Sequence, residues 1–436
     1  MREVPAHGEG SFDEEEEHVK GLTSWVAGTM VLATLLCAPA KAQDRATSGS
    51  ESSAAGLDAT KGRVEAMGEQ VATMQSDLDK LKRFKFSGYV QARYEQNELS
   101  KNTIAVTASS VTPANTNRFY IRRGRLKLTY DSSPLSQAVI YLDGGADRAV
   151  TLLEAYVTLR DPWTPNHRHA FNVGQMNVPF GYEVERSSSV RELPERSKAE
   201  NVLFNGERDR GFNLTSQWLP KLQTVVGLVN GPGIKHTDFP NSAPRKGKDV
   251  VARARWSQGI FDVAGSIYSG KNVIPMADSS LAKDKSLTHD KTRYGADAQV
   301  YYQAPSLGGG SLRGEFYSGH EANPDSVKSL APGRVLKKGK NIDHLATDFT
   351  GWYAMWVQNL GERLQVAARY DVFDPNTDVE HDQYERLGTA VNYFYDGNTR
   401  ITVAYDVPKT DKYRKTTKTW YDPQDNLWTI QLQHKF

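Results

Sequence analysis

The sequence predicts an all-β protein, a 16-stranded antiparallel transmembrane β-barrel preceded by a short N-terminal coiled-coil helix. Beyond Arg83, apolar and polar residues alternate with a period of two, and short and long connections alternate between the segments that show this pattern. The mean hydropathy is −0.59, although 10% of the 436 residues are aromatic. One long apolar stretch is too few for a polytopic helical membrane protein, whereas barrel strands need apolar residues only on their lipid side.

The one apolar stretch, from Leu22 to Ala40, predicts an export signal. A small-x-small motif follows it, so residues 1–42 are predicted to be a signal peptide that is cleaved before Gln43. The glutamates at 14–17 do not suit the basic start of such a signal. We therefore expect the true start of the protein near Val19.

Cleavage changes the charge of the chain. Residues 1–42 hold 3 of the 54 basic and 7 of the 52 acidic residues, which leaves 51 against 45 and a net charge of +6. The single cysteine, Cys37, is also removed, so no disulfide is expected. A basic excess favours anionic partners, unless the additional lysines and arginines are only solvated loop charges.

A heptad pattern follows a Ser/Ala-rich segment, 43–56, that is predicted to be a flexible linker. Over residues 57–83, the spacing predicts a coiled-coil helix that joins several copies of the chain. The a positions hold Leu57, Val64, Val71 and Leu78, and the d positions hold Thr60, Met67, Met74 and Leu81. An amphipathic helix packed against its own domain is the alternative, but the other positions are polar.

Sixteen segments with strand periodicity form the predicted barrel domain, 84–436. They lie near 84–95, 118–130, 136–143, 150–160, 169–174, 209–218, 221–229, 249–257, 259–269, 292–303, 311–319, 348–359, 363–373, 384–395, 399–407 and 427–436. A transmembrane barrel with tight periplasmic turns and long outside loops has this rhythm of connections. The chain also ends on a strand closed by Phe436, as bacterial outer-membrane barrels do.

Two segments resemble a known family, the phosphate-selective porins O and P. One is 174–183 (GQMNVPFGYE), which leads through a long loop to 209–212 (DRGF), and the other is 122–126 (RRGRL). The resemblance covers about residues 57–436. It implies a trimeric channel of sixteen strands, in the outer membrane of a Gram-negative bacterium, whose third outside loop folds into the pore.

The third long loop, about 175–208, is therefore the predicted constriction loop. Its charged side chains would narrow the lumen and set its electrostatic potential, because charges act more strongly where solvent is confined. The predicted solute-binding residues of this loop are Arg186, Arg191, Arg196 and Lys198. A solvated loop that never enters the pore is the alternative.

Strand alternation predicts which basic residues of the barrel wall face the lumen. Apolar residues such as Leu126 and Leu128 must face lipid, so the residues between them face inward. The inward basic residues predicted in this way are Arg123, Arg125, Lys127, Arg253, Arg255, Arg363, Arg369 and Arg386. Arginine offers planar, bidentate donors to oxyanions and keeps its charge, so such a ladder could pass an anion stepwise.

These residues together predict a porin, a water-filled passive diffusion channel that prefers anions such as phosphate or other small oxyanions. Its expected partners are those anions, outer-membrane lipid and two further copies of the chain. Inward acidic residues, Glu154, Asp297, Glu315 and Asp371, argue against strict phosphate specificity. No metal, cofactor, nucleic-acid partner or catalytic residue is expected, because the sequence lacks the usual catalytic motifs. An outer-membrane β-barrel enzyme and a loop-mediated adhesin are the alternatives.

Overall fold

The computed structural model describes residues 50–98, 104–107, 110–113, 117–145, 149–204, 206–231, 233–234, 247–273, 288–322, 346–410, 412–414, 419–421 and 425–436. The predicted signal peptide, 1–42, and the proposed start near Val19 lie outside these residues. The chain divides into two compact units, 1–81 and 82–436.

The described part of the first unit, residues 50–81, forms one helix, α1 (Ser50–Leu81). The prediction of a flexible linker is wrong for residues 50–56, because the helix begins at Ser50. At 1.5 Å per residue, its 32 residues span about 48 Å. The heptad residues Val64, Val71 and Met74 are each more than half exposed. None of the helices in the described part of the chain is both long and apolar enough to cross a membrane.

The second unit confirms the predicted barrel of sixteen antiparallel strands. The strands are β1 (Phe84–Asn97), β2 (Arg118–Ser133), β3 (Ser136–Asp143), β4 (Thr151–Arg160), β5 (His169–Asn177), β6 (Arg208–Leu219), β7 (Leu222–Val229), β8 (Asp249–Gln258), β9 (Phe261–Val273), β10 (Thr288–Ala304), β11 (Gly308–Ala322), β12 (Ala346–Leu360), β13 (Leu364–Asp374), β14 (Tyr384–Phe394), β15 (Thr399–Thr410) and β16 (Leu427–Lys435). Each pairs with its neighbours in the chain, and β1 also pairs with β16.

Two short hairpins lie within connections that were predicted to be loops. One pairs Ile104–Thr107 with Ser110–Pro113, and the other pairs Lys412–Arg414 with Thr419–Tyr421. Neither hairpin joins the barrel sheet.

Alternation along each strand separates an apolar outer face from a polar inner face. On β16, Ile430 is 47% exposed, whereas its neighbours Thr429 and Gln431 are buried. On β9, Ile267 is exposed between buried Ser266 and Tyr268. The closed sheet also satisfies the backbone donors and acceptors of its strands, which a lipid environment requires.

The barrel closes where the C-terminal residue meets β1. The amide of Gly88 donates to the carbonyl oxygen of Phe436 at 2.8 Å, and the amide of Phe436 donates back at 3.1 Å. A Cβ atom on Gly88 would lie 2.6 Å from Cζ of the Phe436 ring and would also collide with the carbonyl oxygen of Arg125. Glycine is therefore the residue that allows this close approach.

We expect Gly88→Ala to lower the free energy of unfolding by about 1–3 kcal/mol, the usual cost of overpacking. Thermal unfolding and the yield of heat-modifiable barrel on electrophoresis measure the effect. The matched control is Gly397→Ala, in the turn between β14 and β15, where an added Cβ atom meets nothing within 4 Å. Equal stability of the two variants would show that closure tolerates a side chain at Gly88.

Candidate functional site

The connection between β5 and β6 packs inside the barrel. Its residues 178–204 include two short helices, α2 (Tyr182–Glu185) and α3 (Lys198–Leu203). Phe180, Val184 and Phe204 form one buried cluster with wall residues of β7, β8, β9, β11, β12 and β13. Only the interior of a barrel brings one loop against so many strands, so this segment, the infolded loop, lies in the lumen.

The Pro-Phe-Gly run turns the chain from β5 into the lumen. The Phe180 ring is fully buried, with its centroid 4.7 Å from that of Phe204. Gly181 has φ 63°, and a side chain there would collide with the Glu315 carboxylate. That carboxylate accepts hydrogen bonds from the amides of Tyr182 at 2.9 Å and Glu183 at 3.2 Å. The motif thus anchors the start of α2 to the wall.

A β-bulge on β2 turns two consecutive arginines inward. The register between β1 and β2 shifts by one residue beside Gln91, which makes Arg122 the additional residue. Arg122 Nε donates to Glu195 of the infolded loop at 2.8 Å, and Arg93 of β1 donates to the same carboxylate at 2.7 Å. Arg123 Nη2 lies 3.6 Å from it. Glu195 is therefore surrounded by three guanidinium groups.

These guanidinium groups keep the Glu195 carboxyl ionised. Burial acts to raise its pKa, but the positive charges of Arg123, Arg122 and Arg93 outweigh burial and hold the pKa well below its usual value. The negative charge of the loop consequently neutralises part of the positive charge of the wall.

Asp371 of β13 is a second point of attachment for the loop. It pairs with Arg386 at 2.9 Å and with Arg369 at 3.3 Å, and it accepts a hydrogen bond from the amide of Lys198 at 2.9 Å. Arg369 also pairs with Glu183 of the loop at 2.8 Å. The sequence predicts that Asp371, Arg369 and Arg386 face inward, but it does not specify which of them pair.

The other predicted arginines of wall and loop, apart from Arg191 and Arg363, also contact carboxylates. These contacts include Arg125–Asp143 (3.0 Å), Arg186–Glu192 (2.6 Å), Arg196–Glu200 (2.9 Å), Arg253–Asp297 (2.5 Å) and Arg255–Asp262 (2.9 Å), and Arg196 also pairs with Glu207. The structure thus brings the predicted basic residues into one lumen, but it pairs most of them with acidic residues.

The remaining predicted basic residues are Arg191, Lys127, Lys198 and Arg363. In the described structure, no hydrogen bond or ion pair involves the side chain of Arg191 or Lys127. Lys127 is partly exposed on the inner face of β2, opposite Tyr141. Lys198 places Nζ 4.6 Å from the centroid of the Tyr384 ring. Arg363 is exposed in the turn before β13, so the prediction that it faces the lumen is wrong.

A small cavity lies between the infolded loop and strands β11, β12 and β13. Four arginines and three glutamates line it, with aromatic and apolar residues between them. These charged residues are Arg186, Arg191, Arg313 and Arg369, and Glu183, Glu192 and Glu195. We regard this cavity as the candidate site.

Among the charged residues that line the cavity, Arg191 is the one whose side chain has no partner in the described structure. It is buried, with 6% of its surface exposed. Burial and the nearby positive charges of Arg196 and Arg123 lower the pKa of Arg191 well below its usual value. Because a guanidinium group does not lose its proton in proteins, Arg191 is instead a positive charge in unfavourable surroundings.

Sequence reasoning missed several buried or half-buried arginines of the lumen, which include Arg93, Arg122, Arg208, Arg293, Arg313 and Arg400. Arg93, Arg313 and Arg400 occupy inward-facing positions in the alternation of their strands, so the alternation could have identified them. Arg122 occupies an outward-facing position in the alternation of β2, and only the bulge brings it inside. The described residues contain no cluster suited to a metal ion.

The family profile described as phosphate-selective porin O and P matches residues 108–436 of the chain. The chain belongs to this family of porins. Together with the closed barrel, membership shows a channel of the Gram-negative outer membrane rather than an enzyme.

Solved structures of other porins have the same fold. The outer membrane channel DcaP of Acinetobacter baumannii is 12% identical with a TM-score of 0.53, and the match covers 81% of this chain and 97% of DcaP. An anion-selective porin from Comamonas acidovorans gives 12% identity, a TM-score of 0.53 and coverage of 81% and 99%. OprB of Pseudomonas putida is 10% identical with a TM-score of 0.54, and the match covers 84% of this chain and 97% of OprB. No curated protein matches the porin in sequence.

We expect acid to destabilise the porin through Glu192. Burial acts to raise the pKa of this carboxyl, but Arg186 and Arg313 outweigh burial and lower the pKa from 4.5 to about 2. Its contribution to stability is therefore present above about pH 4.5 and is lost as the pH falls towards 2. This difference corresponds to on the order of 3 kcal/mol. Thermal unfolding between pH 2 and 7 measures it.

The matched control for this pH dependence is Glu192→Gln, which removes the titrating group and keeps the shape of the side chain. The variant should be less stable than the natural porin at pH 7 and should lose less stability between pH 4.5 and 2. Identical acid slopes for the two proteins would contradict the prediction.

Proposed function

We propose that the porin prefers anions and admits small oxyanions such as phosphate by passive diffusion through a lumen narrowed by the infolded loop. The observation behind this proposal is the charge of the candidate site, where four arginines face three glutamates. Each glutamate already contacts an arginine: Glu183 at 2.8 Å, Glu192 at 2.6 Å and Glu195 at 2.7 Å. The net positive charge is therefore small and localised.

The paired arginines also support this proposal, in a different way. Ion pairing reduces their net charge, but a guanidinium group has five N–H donors and a carboxylate accepts only some of them. A lumen of paired arginines can thus offer hydrogen bonds to a passing oxyanion without binding it too tightly to leave. The anion-selective porin from Comamonas acidovorans, a structural neighbour, is consistent with anion preference in this fold.

We further propose that three copies of the porin assemble, with the α1 helices joined in a coiled coil. The heptad residues of α1 from Val64 to Leu81 form an exposed apolar stripe. Three such helices would bury these stripes against one another, which a single helix in water cannot do. Contacts between the barrels are expected to contribute to the trimer as well.

We expect the natural porin to be anion-selective in planar bilayers, and Lys127→Gln to lower its anion-to-cation permeability ratio at least about twofold. A unit charge about 4 Å from an ion contributes on the order of 4 kcal/mol at an effective dielectric constant of 20, before screening by salt. The reversal potential under a potassium chloride gradient gives the ratio.

The matched control for Lys127 is Lys221→Gln, in the exposed turn between β6 and β7. Bulk salt screens that position, so its removal should change the reversal potential much less. A natural porin that selects potassium over chloride would contradict the proposed anion preference. Equal shifts from both variants would contradict the inward position assigned to Lys127.

For assembly, we expect Val71→Glu combined with Met74→Glu to weaken the trimer without unfolding the barrel. Charges at positions a and d would be buried in the seam between helices. Native mass measurement and cross-linking of the full mature chain report the result. Ala72→Glu combined with Ser76→Glu, on the opposite face of α1, is the control and should leave the trimer intact. A monomer for the natural porin would contradict this proposal.

A further inference from the structure

The infolded loop crosses the lumen from one wall to the opposite wall. Near its start, the amide of Gly181 donates to the hydroxyl of Ser266 on β9 at 3.1 Å. Seven residues later, Ser188 hydrogen-bonds to Tyr89 and Gln91 of β1. In the closed sheet of sixteen strands, β1 and β9 are eight strands apart in either direction and therefore lie opposite each other. The loop thus spans the barrel instead of following one side of it.

The part of the loop that reaches β1 is a four-residue tip, residues 187–190 (SSSV). Arg125 Nη1 of β2 donates to the hydroxyl of Ser188 at 3.0 Å. Gln433 Nε2 of β16 donates to the carbonyl oxygen of Ser189 at 2.8 Å. The tip therefore contacts three adjacent strands, β16, β1 and β2.

The contact between the tip and these strands excludes water. Gln91 and Gln433 are each 1% exposed, and Ser188 is 4% exposed. An inward side chain that borders an aqueous passage is exposed to that passage. No passage therefore runs between the tip and this wall, and the tip closes one side of the lumen.

The tip is held differently from the rest of the loop. It has no charged side chain, so its polar groups meet the wall through hydrogen bonds alone, which water can replace. The rest of the loop is held by buried ion pairs such as Glu183–Arg369 at 2.8 Å and Glu195–Arg93 at 2.7 Å. Separation of buried ion pairs is much more costly. The tip is consequently the part of the loop that leaves the wall most easily.

The wall behind the tip has hydrogen-bond partners of its own. Gln91 Nε2 donates to Gln433 Oε1 at 2.7 Å, which links β1 to β16. Arg125 pairs with Asp143 of β3 at 3.0 Å. These side chains would remain in place if the tip moved away, because each keeps a partner on the wall.

The base of the tip is also closed within the loop. Arg186 Nη2 donates to the carbonyl oxygen of Val190 at 2.9 Å and to the Glu192 carboxylate at 2.6 Å. These two bonds join the residues on either side of the tip. The tip can therefore leave the wall without unfolding the segment from which it projects.

We infer that the tip is a gate, closed in this structure against β16, β1 and β2, and that its release opens an aqueous passage along these strands. Gln91, Arg125 and Gln433 would line the opened passage. The inference goes beyond the proposed anion preference, because it concerns when the passage is open and not which ion passes through it.

The first test tethers the tip to the wall in the full mature porin. Ser189→Cys and Gln433→Cys place thiols at two residues in contact, and the natural Cys37 lies within the predicted signal peptide. A short bifunctional methanethiosulfonate joins the thiols, and dithiothreitol releases them. We expect the tether to lower the conductance in potassium chloride at least about threefold, because a held tip keeps the passage closed, and dithiothreitol to restore the conductance.

The matched control combines Gln91→Cys with Gln433→Cys. These two residues contact each other on the wall, so the same reagent adds the same bulk to the lumen and leaves the tip free. This second tether should change the conductance much less. An unchanged conductance after tethering of the tip, or an equal decrease from both tethers, would overturn the inference.

A second test weakens the closed state without a tether. Ser188→Ala removes the hydroxyl that meets Tyr89 and Arg125, so the porin should spend at least about three times as long in its highest conductance state. The control is Ser187→Ala, because the exposed hydroxyl of Ser187 hydrogen-bonds to Ser189 within the tip. Single-channel recordings at fixed voltage measure these times. Equal times for the two variants would overturn the inference.

The gate and the proposed anion preference can fail separately. The reversal potential in potassium chloride tests the preference, whereas the tethers and the Ser188 variant test the gate. An anion-selective porin whose conductance is insensitive to the tether would retain the proposed function and lose the gate. A porin closed by the tether that prefers potassium would retain the gate and lose the anion preference.

Discussion

The fold depends on the neutralisation of charges that are buried when a loop occupies the lumen. The infolded loop brings Glu183, Glu192 and Glu195 out of bulk water, and each meets at least one arginine within 3 Å. Removal of one member of such a buried pair typically costs about 3–5 kcal/mol. Apolar residues such as Phe180, near the start of the loop, and Leu193, in its middle, add further burial. The arginines of the wall are consequently part of the structure that holds the loop in place.

This dual use of arginine alters how the selectivity of the channel should be understood. A wall whose arginines are mostly paired has a lower net potential than a ladder of free arginines would have. The surplus of positive charge is confined to few positions, of which Arg191 is the most buried and Lys127 the more accessible. Acidic residues such as Asp371 position the arginines beside them.

The barrel was predictable because lipid imposes a strict alternation on every strand. The same alternation correctly identified the inward faces of Arg123, Arg253 and Arg369. Their partners were not predictable, because a face does not specify depth in the barrel and the partner often lies far away in sequence, as Glu195 does from Arg93. The start of α1 differs from the prediction for a local reason. A Ser/Ala-rich composition is typical of linkers, but alanine is also the strongest helix former, and the helix begins at Ser50.

The bulge on β2 has an additional consequence for how this barrel can vary. Before the bulge, Tyr120 faces inward and Ile121 faces outward; after it, Arg123 faces inward and Gly124 faces outward. Arg122 is the additional residue between these two pairs. Loss of this one residue would restore an uninterrupted ladder and keep every lipid-facing residue on its face. A gain or loss of a single codon can therefore add or remove one lumenal charge at no cost to the outer surface. Length changes inside a strand, which usually destroy a sheet, are here a route by which evolution could adjust the pore.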